Sequence, residues 1–218
     1  LDLVAQVESI FAADGLLSKA RNFEYRPQQQ EMAVAVARAL EQREHLVVEA
    51  GTGVGKSFAY LVPAIELVSN QTEKRVVVST HTIALQEQLI EKDIPFLKKA
   101  LPTDFRAVLV KGRSNYLCLR RLTLVSTRQD RLFGSERELK NLWRIEDWAA
   151  KTRDGSTRSL HFAVLPSVWQ RVCADRNSCQ GRSCEQFGKC FYQASRRKMQ
   201  AAQILVVNHA LFFADLVL

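Results

Sequence analysis

HLVVEAGTGVGKSFAYL, residues 45–61, joins an apolar run to a glycine-rich turn and a helix-forming segment. The apolar run is predicted to be a strand. The turn carries the pattern A-x-x-x-x-G-K-S from Ala50 to Ser57, with alanine where the usual phosphate-binding loop has glycine. Its glycines leave backbone N–H groups free to surround a phosphate at a helix N-terminus, where the helix dipole also favours an anion. The stretch therefore predicts binding of a nucleoside triphosphate.

Two side chains of the loop are the predicted catalytic residues. Lys56 is expected to reach the β and γ phosphates, and the Ser57 hydroxyl is expected to ligate Mg²⁺. The alternative is a glycine-rich turn with an incidental lysine, but strand, loop and helix occur in the order that the motif requires. The predicted nucleotide-binding residues of the loop are Ala50, Gly51, Thr52, Gly53, Val54, Gly55, Lys56 and Ser57.

Composition is consistent with a soluble globular chain that binds an anion. Its 218 residues are enough for one domain, or for one domain that carries a smaller insertion. Its apolar fraction of 47% and charged fraction of 25% are typical of globular proteins. The net charge of +8 favours an anionic partner, most commonly nucleic acid, although a basic surface also serves solubility. The sequence has neither a long apolar run nor a secretory signal, so we expect no membrane span and a cytoplasmic location.

The two ends of the sequence suggest a part of a longer protein. The chain begins at Leu1 instead of methionine and stops within an apolar run, residues 216–218. We therefore expect further sequence on one or both sides.

Strands alternate with helices around the loop. The β-branched run RVVVST, residues 75–80, and the runs 105–110 and 204–207 are predicted to be buried parallel strands, and 82–89 is predicted to be a helix. This alternation indicates a parallel sheet covered by helices, with ligands at the carboxyl ends of its strands. Thr80 lies at such an end, where its hydroxyl can contact a nucleic-acid phosphate or cap the next helix.

A helix is also predicted upstream of the loop, with Pro27 in its first turn. Its apolar face is predicted to comprise Met32, Val36, Ala39 and Leu40. A glutamine just before a phosphate loop can bond both edges of an adenine, because its amide has a donor and an acceptor. The alternative is that the glutamines at 28–30 form a solvated helix start.

Residues 120–197 lose the alternation and become basic, helical and cysteine-bearing, which predicts an inserted small domain. Ser135 and Glu138 fit a capping box before a helix. Trp143 and Trp148 share its apolar positions with leucine and isoleucine, so we expect them in a core instead of in a base-stacking surface.

Cysteine spacing predicts a metal site in this insertion. The sequence contains five cysteines, an odd number that does not suit a disulfide framework in a cytoplasmic protein. Cys179, Cys184 and Cys190 form C-x4-C-x5-C, and Cys118 completes a set of four thiolates that suits an iron–sulfur cluster or tetrahedral zinc. The wide spacing favours the cluster. Cys173 is either a spare thiol or a replacement for Cys179.

The order of motifs resembles one family. YRPQQQEM, EAGTGVGKS, VVVSTHTIALQEQL, KGRSNYLC, CFYQASRR and ILVVNHALFF together resemble the N-terminal part of the DinG and YoaA branch of the XPD-like superfamily 2 iron–sulfur DNA helicases. The resemblance covers essentially the whole chain. It implies an α/β fold: a RecA-like P-loop NTPase parallel sheet with an inserted, mainly helical 4Fe-4S domain. The implied boundaries are motor domain 1 over 1–117 and 196–218 and the cluster domain over 118–195.

The resemblance also implies an activity. It implies ATP-driven 5′ to 3′ translocation on single-stranded DNA and unwinding of duplex, forked or R-loop DNA in repair or replication. We expect a monomer, with a replication or repair protein as a candidate partner. The implied cofactors are ATP, Mg²⁺ and a 4Fe-4S cluster.

Residue roles follow from the same resemblance. Gln29 and Arg26 would recognise the base of ATP, and Thr80 would contact the DNA backbone. Lys111 and Arg113 are predicted to guide DNA phosphates, together with Arg120, Arg121, Arg196 and Arg197. The alternative is that most of these residues are solvated surface charge. The implied cluster ligands are Cys118, Cys179, Cys184 and Cys190.

One expected motif does not occur in the sequence. The acidic D-E-x-H motif should follow the last strand, but the 218 residues contain no Asp-Glu dipeptide, nor a second motor domain. We therefore expect this piece to bind ATP weakly, to hydrolyse little of it and to unwind nothing. Two other classes are a zinc-stabilised nucleotide- and nucleic-acid-binding module without helicase activity, and a redox sensor in which a labile cluster gates DNA binding.

Overall fold

The computed structural model describes residues 2–20, 23–71 and 73–217, with side chains to residue 214. It divides into two compact units. The first comprises the chain up to Leu109 and again from Ala201, and the second comprises Val110–Gln200. The predicted insertion, 118–195, lies within the bounds of the second unit. Within the described ranges, no helix combines the length and apolarity needed to cross a membrane.

Helices make up most of the secondary structure. The helices are α1 (Leu3–Phe11), α2 (Pro27–Gln42), α3 (Lys56–Asn70), α4 (Ile83–Gln88), α5 (Ile94–Ala100), α6 (Leu119–Ser126), α7 (Gln129–Leu132), α8 (Glu136–Ala149), α9 (Pro166–Val172), α10 (Phe191–Gln200) and α11 (His209–Val217). The strands are β1 (Val76–Thr80), β2 (Ala107–Leu109) and β3 (Ile204–Asn208). A π-helical turn, Leu89–Asp93, joins α4 to α5.

The three strands form a parallel sheet in the order β1-β3-β2. Val76 pairs with Ile204 and Thr80 with Asn208, while Ala107 pairs with the same Ile204 from the other side. The last strand in sequence is therefore the central one. The prediction of parallel strands at these three runs is confirmed, and β1, as an edge strand, is only partly buried, with Val77 43% exposed.

The predicted strand at residues 45–49 does not form. Residues 44–50 have no regular secondary structure, and Val47 is 97% exposed. A strand exists only through hydrogen bonds to a neighbour, and the described strands pair with one another and not with this segment. An apolar β-branched run was therefore not sufficient to form a strand.

The core of the first unit lies between the sheet and helices α1, α2 and α3. Phe11, Leu61, Ile65 and Ile204 are fully or almost fully buried there. Helix α2 begins at Pro27 as predicted. Its most buried apolar residues are Ala33 and Ala37, however, because small side chains allow close approach to the neighbouring helices. The predicted face, Met32, Val36, Ala39 and Leu40, is only half-buried.

The second unit has its own core, built on α6, α8 and α9. Leu142, Ile145 and Trp148 of α8 are buried in it. Ser135 caps α8 by accepting a hydrogen bond from the Glu138 amide at 3.3 Å, as the capping-box pattern predicted. The prediction for Trp143 was wrong: it is 47% exposed, because it lies on the solvent face of α8, where its Nε1 donates to the Gln129 side chain.

Glu66 gives the first unit a testable pH dependence. This glutamate of α3 is 2% exposed and accepts hydrogen bonds from Gln6 Nε2 at 2.6 Å and Thr103 Oγ1 at 3.2 Å. Burial raises the pKa of Glu66 above the ordinary value of 4.5, although both hydrogen bonds oppose the shift. The folded state therefore holds this proton more tightly than the unfolded chain does.

We expect Glu66→Gln to reduce the pH dependence of stability. With a raised folded pKa, the free energy of unfolding falls as pH rises above 4.5 and through the folded pKa. Urea unfolding across that range should show a smaller fall for Glu66→Gln than for the wild type. Glu73→Gln, at an exposed position, is the matched control and should follow the wild type. Parallel curves for all three proteins would contradict the assignment.

Candidate nucleotide-binding and cysteine sites

The glycine loop ends at the first residue of α3. Gly53 and Gly55 both have φ of +85°, in the left-handed region that glycine adopts without strain. A Cβ at Gly55 would lie 2.0 Å from Gln29 Nε2, so no other residue fits there without movement. Gly55 occupies the N-cap of α3 without a side-chain cap, so the first backbone N–H groups of the helix are available to an anion.

Lys56 is folded back onto its own loop. Its Nζ donates to the carbonyl oxygens of Ala50 at 2.9 Å and Gly51 at 2.8 Å, and the residue is exposed. The ammonium therefore lies at the mouth of the loop with carbonyl partners that phosphate oxygens can replace. Thr52 is exposed and Val54 half-buried in the same loop.

Two residues from the start of α2 brace the loop. Gln29 is only 3% exposed and donates from Nε2 to the Gly55 carbonyl at 2.8 Å. Arg26 donates to the Gly53 carbonyl and forms an ion pair with Glu24 at 2.7 Å. The structure thus brings both predicted residues to the loop, where they bind its backbone. Their recognition of an adenine stays a prediction.

Ser57 lies half-buried in the first turn of α3. Its side chain is hydrogen-bonded to Tyr60, where burial raises the pKa of the phenol while this hydrogen bond lowers it. To ligate Mg²⁺ as predicted, the Ser57 hydroxyl would have to give up its hydrogen bond to Tyr60. This role stays a prediction.

Polar side chains at the carboxyl end of β1 form hydrogen bonds with nearby backbone groups. Thr80 is 4% exposed, and its Oγ1 donates to the Thr82 carbonyl at 3.2 Å. Thr82 in turn caps α4 by accepting from the Leu85 amide. The predicted contact between Thr80 and DNA is untested, and its hydroxyl is already engaged.

Sequence reasoning missed a neighbouring pair, Ser79 and His209. Ser79 Oγ and His209 Nδ1 are 2.7 Å apart, and the His81 and His209 rings are 6.0 Å apart. The two partners of this pair are distant in sequence. The sequence could have indicated the pair, because both residues lie at the carboxyl ends of predicted parallel strands. In the structure β1 and β3 end side by side, which brings the two side chains together.

In the second unit, four of the five cysteines line one small pocket: Cys118, Cys179, Cys184 and Cys190. Cys173 is not among the residues that line it; it is buried, and burial raises the pKa of its thiol. In the described part of the chain, no three histidine, cysteine, aspartate or glutamate side chains converge closely enough to hold a single metal ion. The pocket therefore gathers the predicted four thiols without forming a compact one-ion site.

Short local structures place these cysteines. Cys118 is the N-cap of α6, and Cys190 directly precedes α10. Cys184 and Cys190 each follow a single 3₁₀ turn, Gly181–Ser183 and Phe187–Lys189. A tight turn of the chain thus precedes each of these two thiols.

Arg120 and Arg121 hold the cysteine-bearing segments together. Arg120 donates to the Ser178 carbonyl, next to Cys179. Arg121 donates to the carbonyls of Cys173 at 2.5 Å and Gln170 at 2.7 Å. Both were predicted to guide DNA phosphates; in the structure their guanidinium groups bind backbone carbonyls.

Lys111 and Arg113 are also held by neighbours. Lys111 Nζ donates to Ser156 Oγ at 3.3 Å, and the Arg113 guanidinium lies 4.4 Å from the Tyr192 ring centroid. Ser156 Oγ donates to Asp154 at 2.7 Å. Burial would raise the pKa of Asp154, but hydrogen bonds from Ser159 and Ser156 and the Lys111 charge lower it on balance.

The glycine loop at the N-terminus of α3, in a unit with a small parallel sheet, is consistent with a helicase RecA-like domain. The profile of the DEAD/DEAH box helicase family matches residues 26–165. The chain belongs to this family of helicases.

Curated relatives agree with this assignment. The chain is 41% identical to the ATP-dependent DNA helicase YoaA of Escherichia coli (strain K12), over 95% of this chain and 32% of the relative. It is 35% identical to the ATP-dependent DNA helicase DinG of Salmonella typhimurium, over 97% of this chain and 31% of the relative. It is 41% identical to the ATP-dependent helicase DinG of Mycobacterium tuberculosis, over 87% of this chain and 31% of the relative. The chain spans about a third of the length of these relatives.

The bracing contact of Gln29 predicts a nucleotide-binding defect. We expect Gln29→Glu to weaken binding of a fluorescent ATP analogue by roughly tenfold, because the carboxylate cannot donate to the Gly55 carbonyl and places a buried negative charge beside that oxygen. Gln28→Glu makes the same charge change at the exposed neighbouring position and should bind like the wild type. Equal loss in both variants would mean that charge, and not the bracing contact, sets the affinity.

Proposed function

We propose that this chain is the nucleotide-binding part of an ATP-dependent DNA helicase. The observation that carries the proposal is the Gly53–Lys56 segment at the start of α3, braced by Gln29 and Arg26. The names of the relatives, ATP-dependent DNA helicases, supply the nucleotide and the substrate. The proposed ligands are ATP and Mg²⁺.

In this proposal, nucleotide binding exchanges partners within the loop. The β and γ phosphates of ATP accept from the backbone N–H groups at 51–57 and take over the Lys56 ammonium from the Ala50 and Gly51 carbonyls. The Ser57 hydroxyl would hold Mg²⁺ in place of its Tyr60 partner. Gln29 keeps the Gly55 carbonyl and presents its amide oxygen to the base. Binding therefore reorganises side chains and not the glycine backbone.

The proposed nucleic-acid partner is single-stranded DNA. Support comes from the net charge of +8, from the polar ends of β1 and β3 at the carboxyl edge of the sheet, and from Lys111 and Arg113. For the whole protein we propose 5′ to 3′ translocation and unwinding of duplex, forked or R-loop DNA in repair or replication. A monomer that works with a replication or repair protein remains part of this proposal.

Hydrolysis is proposed to require more than these residues. Phosphoryl transfer depends on a carboxylate that orients water and on arginines that stabilise charge. The 218 residues contain no Asp-Glu dipeptide to supply the acidic motif. We propose that they bind ATP weakly and turn it over slowly even with DNA; a fast DNA-stimulated ATPase rate from the purified chain would overturn this.

We further propose that Cys118, Cys179, Cys184 and Cys190 hold a 4Fe-4S cluster. The donor set fits: four thiols line one pocket, and the fifth does not. When bound, a cluster ligated by four thiolates supplies structural cross-links and a one-electron redox centre. Arg120 and Arg121 would keep the segments before Cys179 next to α6 whether or not the thiols are ligated.

Metal content tests the cysteine assignment. We expect protein purified without oxygen to contain iron and acid-labile sulfide near four per chain. Cys184→Ser should lose them, because it removes a thiolate from the pocket, whereas Cys173→Ser should keep them. Zinc in place of iron would support the alternative, a zinc-stabilised binding module without helicase activity.

The DNA assignment has its own test. Lys111→Gln with Arg113→Gln should weaken binding of an oligothymidylate and lower the slope of log affinity against log salt by about 1.4, at roughly 0.7 for each phosphate contact. Arg128→Gln with Arg131→Gln removes the same charge from exposed positions of the same unit. An unchanged slope in the first variant, or an equal change in the second, would argue against Lys111 and Arg113 as DNA contacts.

A further inference from the structure

A second cavity in the Val110–Gln200 unit shares no residue with the cysteine pocket. It lies between the C-terminal half of α8 and the segment 152–162, and its volume is about 640 Å³. That volume is in the usual range for sites that bind small molecules or single nucleotides. None of the residues predicted to bind nucleotide, metal or DNA lines it.

Three cations line this cavity: Arg144, Lys151 and Arg153. All three are exposed, and among the described residues none of them forms an ion pair. Unpaired cations around a concave surface attract anions, and guanidinium groups match phosphate oxygens well. The cavity therefore favours an anionic ligand.

Two carboxylates also line the cavity, but they do not remove its preference for an anionic ligand. Asp154 accepts from Ser159 Oγ at 2.6 Å, Ser156 Oγ at 2.7 Å and the Ser156 amide at 3.2 Å. The Asp154 carboxylate oxygens are therefore already hydrogen-bonded within the turn that forms one wall of the cavity. Asp147 is the other lining carboxylate, so the cations outnumber the acidic groups.

The cavity also offers flat surfaces for a ring. The Arg144 guanidinium lies 4.3 Å from the Phe162 ring centroid. Trp148, which is only 8% exposed, contributes to the wall and not to the stacking surface; its Nε1 donates to the Ser159 carbonyl at 3.1 Å. Nucleic-acid bases stack on guanidinium planes and aromatic rings, whereas aspartate and glutamate side chains have no ring to stack. Among anionic polymers, these surfaces favour a nucleic acid over an acidic peptide.

We propose that this cavity binds a segment of single-stranded nucleic acid. Arg144, Lys151 and Arg153 contact consecutive backbone phosphates, and a base stacks on the guanidinium that covers Phe162. The assignment rests on the proposed function, since it gives the same DNA strand a further contact on the cysteine-bearing unit. It is separate from the Lys111 and Arg113 assignment, because neither of those residues lines the cavity.

Two triple variants of equal charge test the proposal. The first, the cavity variant, is Arg144→Gln, Lys151→Gln and Arg153→Gln. The second, the control, is Arg128→Gln, Arg131→Gln and Arg137→Gln, all exposed positions of the same unit outside the cavity. Fluorescence anisotropy with a labelled oligothymidylate at several salt concentrations measures affinity and salt slope. Circular dichroism confirms that both variants fold.

We expect the cavity variant to lose about 2 from the salt slope, at roughly 0.7 for each of three phosphate contacts, and the control to stay near the wild type. If both variants bind like the wild type, or lose the same slope, the cavity is not a binding site and the proposed function stands. If the wild type itself does not bind the oligothymidylate, the proposed function fails. The two failures are therefore distinguishable.

A conservative variant tests the stacking step. Arg144→Lys keeps the charge but removes the plane, so we expect several-fold weaker binding with an unchanged salt slope. Wild-type affinity in this variant would contradict stacking. Polyglutamate is the second probe: we expect it to compete poorly with the oligothymidylate. Strong competition that the cavity variant abolishes would instead assign the cavity to an acidic protein segment.

Discussion

The parallel pairing of β3 with both of its neighbours is the constraint on which the first unit depends. β3 lies between β1 and β2, yet it is the last strand in sequence. The chain must therefore leave the sheet after β2, build the whole second unit, and return in register so that Ile204 pairs with Val76 on one side and Ala107 on the other. Parallel pairing always needs a long crossover, and here the crossover contains a unit with its own hydrophobic core.

The same sheet explains why polar residues distant in sequence meet. Parallel strands end at one edge, so Ser79, near the end of β1, reaches His209, which directly follows β3. The conformation of the glycine loop, residues 50–57, depends on local contacts instead. It is shaped by left-handed glycines and by carbonyls that accept from Arg26, Gln29 and Lys56. Each of these donors gives a carbonyl oxygen of the loop a side-chain partner, and the Gly55 carbonyl also accepts from the Phe58 amide within α3.

The cysteine-bearing unit uses arginine in a structural way. Arg120 and Arg121, adjacent on α6, bind the backbone before Cys179 from a helix that begins just after Cys118. A guanidinium can bridge two carbonyls of a loop because its donors are fixed in a planar fork. Two of the cationic side chains of this unit, Arg120 and Arg121, therefore form internal contacts. Arg144, Lys151 and Arg153, in contrast, are exposed to solvent around an open cavity.

The sequence by itself determined the elements that local chemistry controls. Pro27 started α2, Ser135 capped α8, the β-branched runs formed β1 and β3, and the glycine pattern formed the loop before α3. Each of these depends on neighbours a few residues away. Four cysteines of the predicted set also line one pocket, since C-x4-C-x5-C keeps three of them on one loop.

Tertiary structure decided what depended on distant partners. Residues 45–49 have the composition of a strand but no pairing partner among the described residues, so Val47 is exposed. Trp143 has the apolarity of a core residue but lies on the outer side of α8, and Ala33 and Ala37, not Met32 and Leu40, are the most buried apolar residues of α2. Burial and strand pairing each depend on two surfaces in contact. The sequence of one segment specifies only its own surface and not the surface that packs against it.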